Sequence, residues 1–168
     1  MRLSQGVEWA VHCCLLMAWL PPTATVSATT LAEYHGVPRP YLAKALQALS
    51  RAGLVATTAG RSGGYRLARR PQEITLFDVV NAVEGDQPAF RCTEIRQNAP
   101  FPAPERCYRK SCGVAVAMWR AEQAWRDSLA EVTIAALVDT YRDNGPVPPA
   151  VQQRNADWLT ERTGQSHG

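Results

Sequence analysis

Between Thr30 and Leu67 two helical patterns meet across a glycine, and two short β-prone runs then meet across a glycine-rich tip. That order constrains the fold more than any other feature of the chain. A short helix from about Thr30 to His35, with Thr29 or Thr30 as N-cap, precedes the tight turn at Gly36. Pro38-Arg39-Pro40 leads into a further helix, where a proline in the first turn removes only an N–H that would be unsatisfied anyway. Leu42, Ala45, Leu46 and Leu49 repeat at helical spacing, and Gly53 stops the helix. Leu54–Thr58 and Tyr65–Leu67 read as two strands joined by the turn at 59–64. The expected class is mainly α with a small β-hairpin wing: a winged helix-turn-helix domain followed by a long dimerisation helix.

The N-terminal flank reads as a first helix ending at Pro21-Pro22. The stretch Trp9–Leu20 after Arg2 has the outline of a secretory leader. Glu8 and His12 interrupt it, and Val7, Val11, Cys14, Leu15 and Ala18 recur at helical spacing, so an internal helix is expected. No apolar run is long enough to span a bilayer. Beyond the hairpin, Thr75-Leu76-Phe77-Asp78 forms a capping-box pattern opening a helix through about Val83, ended by Gly85. Four prolines and little periodicity mark 86–111 as a loop. A helical pattern with a small-residue stripe then runs from Cys112 to about Arg142, longer than a small domain needs for its own core. The expected units are therefore a winged helix-turn-helix domain (1–85), a cysteine loop (86–111), a dimerisation helix (112–142) and a loosely docked tail (143–168).

Charge falls unevenly along the chain. Residues 1–82 hold eight Lys/Arg against four Asp/Glu, and the remainder holds ten against eleven, so the net +3 comes from the N-terminal half. An anionic partner is expected there. The second helix of a helix-turn-helix enters the major groove of duplex DNA with its N-terminal residues nearest the bases. Arg39, Tyr41, Lys44 and Gln47 are the candidate contacts on that helix, with Arg61 and Ser62 at the wing tip reaching phosphate or minor groove. An amphipathic helix pair with a solvated basic face is the plainer account of the helices alone; the adjoining basic hairpin argues for DNA.

Five cysteines, two of them adjacent, do not suit a secreted disulfide framework. Cys13 and Cys14 lie on the apolar side of the first helix and read as core. Cys92, Cys107 and Cys112 follow the spacing C-x14-C-x4-C in the loop and read as free thiols or ligands of a metal centre in a reducing, cytoplasmic compartment. Glu8 and His12, four residues apart, share a helical face, where they form either an exposed pair or part of a metal site. No nucleophile–base pattern or substrate-pocket signature suggests an enzyme, and no small-molecule substrate is expected.

Tyr41-Leu42-Ala43-Lys44, Ala52-Gly53-Leu54-Val55 and Gly63-Gly64-Tyr65-Arg66-Leu67-Ala68-Arg69 resemble the Rrf2 family, together with Ile74-Thr75-Leu76 and three cysteines ahead of a helix. The likeness spans about 1–140. The opening Leu3–Cys14 and the run Cys92-Thr93-Glu94-Ile95-Arg96-Gln97 are similar to its RsrR-like branch of 2Fe–2S redox regulators. The resemblance implies a homodimeric repressor whose affinity for a double-stranded operator follows the redox state of a 2Fe–2S cluster between subunits. It implies Glu8 and His12 of one subunit and Cys107 and Cys112 of the other as ligands; Trp9, beside both first-helix ligands in sequence, is the expected redox gate. Four residues separate Cys107 from Cys112 where the family pattern has three. Another ligand set within the family, Glu8 with Cys92, Cys107 and Cys112, suits a nitric-oxide-responsive 4Fe–4S cluster. Zinc, or thiol oxidation without a metal, is the third possibility.

Overall fold

A computed structural model describes residues 3–59, 63–145 and 147–163. Helix α1 (Gln5–Trp19) is followed by α2 (Ala28–His35), α3 (Arg39–Arg51), strands β1 (Val55–Thr57) and β2 (Tyr65–Leu67), and α4 (Leu76–Glu84). The second half holds α5 (Gly113–Ala130), α6 (Ile134–Asn144) and α7 (Pro149–Thr163). The mainly helical class with a two-stranded antiparallel wing is as expected.

The core forms around α1, which packs against α3, α4, α6 and β2. Ala10, Cys13 and Cys14 are fully buried there. They meet Leu31 of α2 and the predicted α3 stripe of Leu42, Ala45, Leu46 and Leu49, all buried. Small side chains on α1 let neighbouring backbones approach closely, so one helix can seat several partners.

Local chemistry sets most of the boundaries. The N-cap of α2 is Ser27 rather than Thr29 or Thr30: its hydroxyl accepts from the Thr30 N–H at 3.0 Å, and Thr30 is itself buried inside the helix. Gly36 takes φ +62, which side-chain-bearing residues adopt at a cost, and the Val37 N–H returns to the Ala32 carbonyl at 3.0 Å. At α4 the Thr75 hydroxyl accepts from the Asp78 N–H (3.1 Å) and the Asp78 carboxylate accepts from the Thr75 N–H (2.8 Å), the reciprocal box read from the sequence.

The wing pairs Val55 with Leu67 and Thr57 with Tyr65. It is tied to the body by a two-bond bridge: Val26 donates to the Tyr65 carbonyl at 2.9 Å and Tyr65 donates to the Val26 carbonyl at 2.8 Å.

Two further expectations fail. The pattern at Cys112–Arg142 is not one dimerisation helix. It breaks between Ala130 and Ile134, where Leu76 donates to the Val132 carbonyl (2.8 Å) and Ile134 donates to the Ile74 carbonyl (2.9 Å). Thr133 then caps α6, accepting from the Ala136 N–H at 3.1 Å. Backbone pairing with residues 74–76 replaces helical bonds at 131–133, and Ile134 and Val138 enter the core. Nor is the C-terminal segment a loosely docked tail. It contains the fifteen-residue α7, with Pro149 at its first position, Leu159 buried, and the Trp158 ring 5.8 Å from that of Tyr34.

The wing bridge leaves no room at Gly64. A Cβ there would lie 2.7 Å from the Val26 carbonyl oxygen and 2.8 Å from its carbon, both backbone atoms that cannot rotate away. Gly64→Ala is expected to separate the wing from the body and to destabilise the fold by about 1–3 kcal/mol, the usual cost of overpacking, read as a lowered urea midpoint.

Candidate nucleic-acid interface and cysteine loop

The buried stripe of α3 leaves the opposite face to solvent. Arg39, Tyr41, Lys44, Gln47 and Arg51 are all exposed, Tyr41 at 59%. Among the described residues Arg39, Lys44 and Arg51 form no ion pair, so their charge is available to an anionic partner. The Lys44 Nζ sits 5.8 Å over the Tyr41 ring, grouping a cation and an aromatic on the first turns of the helix. The two wing-tip candidates, Arg61 and Ser62, lie outside the described residues.

Behind Tyr41 stands Trp9 of α1, half-buried, with ring centroids 6.5 Å apart. The sequence shows Trp9 only as a neighbour of Glu8; the fold puts it in contact with the exposed helix as well. Glu8 is exposed, and His12 is half-buried one turn on. The His12 ring lies 5.8 Å from His35 and 6.4 Å from Tyr141, and Tyr34 stacks edge-on against His35 at 5.1 Å. Burial, and then the neighbouring His12, push His35 down to about 4, so it is neutral near pH 7. Sequence reasoning places His35 only in the turn. Its partnership with His12 depends on how α2 crosses α1, which no local signal encodes.

The loop is built around Arg96. Its guanidinium donates to both Glu94 carboxylate oxygens, at 2.7 Å for Nη2–Oε2, and Nη2 also reaches the Lys110 carbonyl at 3.1 Å. The Tyr108 ring lies 5.5 Å beneath it, while the Tyr108 hydroxyl accepts from the Ala103 N–H at 2.8 Å. Glu94, whose hydrogen bond is the larger influence, holds Arg96 above the ordinary guanidinium range, and the Cys112 and Cys92 thiols add to this. Arg96 thus draws the two ends of the loop together. The signal for it was in the Cys92–Gln97 run, but its role was not legible there.

The five thiols divide by environment. Cys13 and Cys14 are fully buried, and loss of hydration pushes Cys13 up to about 12 and Cys14 higher still, so both are inert core residues. Cys92 and Cys112 are half-buried, Cys112 as the N-cap of α5, and Cys107 is exposed. Among the described residues no three His, Cys, Asp or Glu side chains of one chain gather into a metal site. Glu8 and His12 on α1 are therefore not brought together with the loop cysteines within a single subunit. The donor chemistry of the two halves still fits an iron–sulfur centre: thiols in the loop and at the N-cap of α5, an exposed carboxylate and an imidazole on α1.

None of the described helices is long and apolar enough to cross a membrane. Residues 3–140 match the model of the Rrf2 family, described as iron-dependent transcriptional regulators. Protein aau3 of Rhizobium meliloti is 40% identical over 140 residues, covering 82% of this chain and 85% of that protein. The HTH-type transcriptional regulator YffB of Lactococcus lactis is 32% identical over 144 residues, covering 86% and 91%. Among solved structures, IscR of T. potens superposes with a TM-score of 0.64 at 22% identity, over 90% of this chain and 96% of that one. CymR, the global cysteine regulator of B. subtilis, gives 0.62 at 22% identity, over 83% and 97%. With a cationic helix face, a wing and these relatives, the chain belongs to the Rrf2 family of DNA-binding transcriptional regulators and is not an enzyme.

Proposed function

We propose that the chain acts as a homodimeric repressor in the cytoplasm, and that the redox state of a 2Fe–2S cluster shared between subunits sets its affinity for a near-palindromic operator. The observation that carries this reading is the contact between Trp9 and Tyr41. It joins the helix bearing Glu8 and His12 directly to the helix that faces DNA.

In this reading Glu8 and His12 of one subunit and Cys107 and Cys112 of the other hold the cluster. When bound, the group supplies a one-electron couple, at a raised potential because imidazole and carboxylate stand in for two thiolates. Trp9 stands beside that pair on α1 and bears on Tyr41, so displacement of its ring is felt at the start of α3. Arg39, Tyr41, Lys44 and Gln47 enter the major groove, the first and third holding phosphates and Gln47 reading a base edge. Arg61 and Ser62 extend the contact from the wing tip. For the salt dependence of duplex DNA binding, followed by fluorescence anisotropy, Arg39→Ala and Lys44→Ala are each expected to lower the slope of log K against log salt by about one. An unchanged slope removes that residue from the phosphate-contact set.

The second subunit is argued from α5. Of its eighteen residues only Ala115 is buried, while Val114 (63% exposed), Val116, Met118 and Trp119 face water. A helix with so apolar an exterior is expected to pair with its own copy, since most regulators of this architecture read two half-sites one duplex turn apart. Trp119→Glu is expected to shift sedimentation from dimer to monomer and to weaken operator binding; a variant that stays dimeric would place the interface elsewhere.

A second ligand set is favoured by one observation. Cys92 and Cys112 both stand near enough to Arg96 to help hold it above the ordinary guanidinium range. That supports Cys92 as a donor beside Glu8, Cys107 and Cys112, the arrangement suited to a nitric-oxide-responsive 4Fe–4S centre. Anaerobic purification with visible spectra and iron and sulfide assays decides. The 2Fe–2S reading expects iron in His12→Ala and Cys107→Ala to fall to near background while Cys92→Ala stays loaded. Loss in Cys92→Ala with retention in His12→Ala selects the second set. A colourless wild-type protein without iron rejects both and leaves switching by zinc or thiol oxidation.

A further inference from the structure

A cavity of about 170 Å³ lies between α1, α2, α6 and α7. Its walls are mostly apolar or aromatic, with Leu15, Leu16 and Trp19 from α1, Tyr34 from α2, Tyr141 from α6, and Val147 from the connection to α7. His12 and His35 also line it, and among the described residues no Asp, Glu, Lys or Arg does. Tyr141, Val147 and the two α7 residues that close it, Gln152 and Asn155, all lie beyond the 3–140 stretch shared with the family. The segment beyond that stretch therefore completes the enclosure.

One of the lining residues, His35, carries an atom without a partner. The Nε2 of His35 is buried and makes no hydrogen bond among the described residues. Native interiors rarely leave such an atom unmatched. The Gln152 side chain cannot serve it, because its amide donates to the Val147 carbonyl at 2.8 Å. An apolar cavity of comparable volume, about 150 Å³, accommodates benzene. Here the rings of Tyr34, Tyr141 and Trp19 add faces and edges against which a planar molecule packs.

We propose that this cavity is an effector site for a small uncharged aromatic carrying one hydroxyl, with phenol as the simplest member. The hydroxyl pairs with His35 Nε2. It both donates and accepts, so it satisfies that nitrogen in either tautomer. An ionised ligand is disfavoured because, among the described residues, no Lys, Arg, Asp or Glu in the lining compensates its lost hydration. His35 is the last residue of α2, immediately before the Gly36 turn into α3. An occupant therefore bears on the junction that sets the attitude of the DNA-facing helix. The site requires no cluster, and its test is separable from that of the redox reading.

Isothermal titration of the full-length protein with phenol tests the proposal. Saturable binding near one molecule per chain in the millimolar range is expected, with benzoate at least about tenfold weaker. His35→Phe keeps the ring and removes the nitrogen, and is expected to weaken phenol about tenfold. Asn155→Trp, on the half-exposed side of α7, is expected to abolish binding by filling the cavity; a wild-type melting curve shows that its fold survives. Non-saturable heats for phenol, equal affinity for benzoate, or titrations unchanged in both variants overturn the site. A protein that lacks iron yet binds phenol in this pattern rejects the cluster and retains the cavity.

Discussion

The fold depends on the burial of α1. Ala10, Cys13 and Cys14 lose all contact with water, and the helices that carry function lean on the surface they make. Because those side chains are small, α3, α4 and α6 approach closely from different directions. Replacing any of them with a larger residue pushes two or more partners apart at once, since interiors packed to crystal density have no slack. The remaining edges of the same helix hold Glu8, Trp9 and His12. Core and candidate sensor are thus faces of one fifteen-residue element, and neither can shift without the other responding.

What was legible in the sequence was what local chemistry decides. The Thr75–Asp78 box, the stop after α2 at Gly36 and the α3 stripe depend on residues within a turn or two of each other, and all were readable. The break between α5 and α6 was not. Glu131–Thr133 carries no proline or glycine, and it leaves the helix because residues 74–76, more than fifty positions away, offer their backbone groups. The same holds for α7, whose folding rests on burying Leu159 and stacking Trp158 on Tyr34 across the molecule. Even Ser27 over Thr30 as the cap of α2 turns on which residue the core swallows.

The candidate sites divide in the same way. The spacing of Glu8 and His12 and the exposed row on α3 follow from helical geometry alone. The Trp9–Tyr41 contact, the His12–His35 pair and the convergence of the loop on Arg96 follow from tertiary packing. These second relations give the individual residues a common purpose. Sequence spacing nominates donors, but the fold decides which of them sit near a cation, a second imidazole or a reading helix.

The short ladder joining residues 74–76 to 132–134 has a mechanical meaning. It lies between the exposed α5 and the winged module, and it is made of peptide groups rather than side chains. Packed side chains slide and repack; a pair of opposed backbone hydrogen bonds tolerates little shear. The ladder therefore works as a rigid weld, which holds the junction of α5 and α6 against the start of α4. Over evolutionary time the exterior of α5 can drift in composition while the angle between its end and the start of α4 stays the same, because peptide groups and not side chains set it.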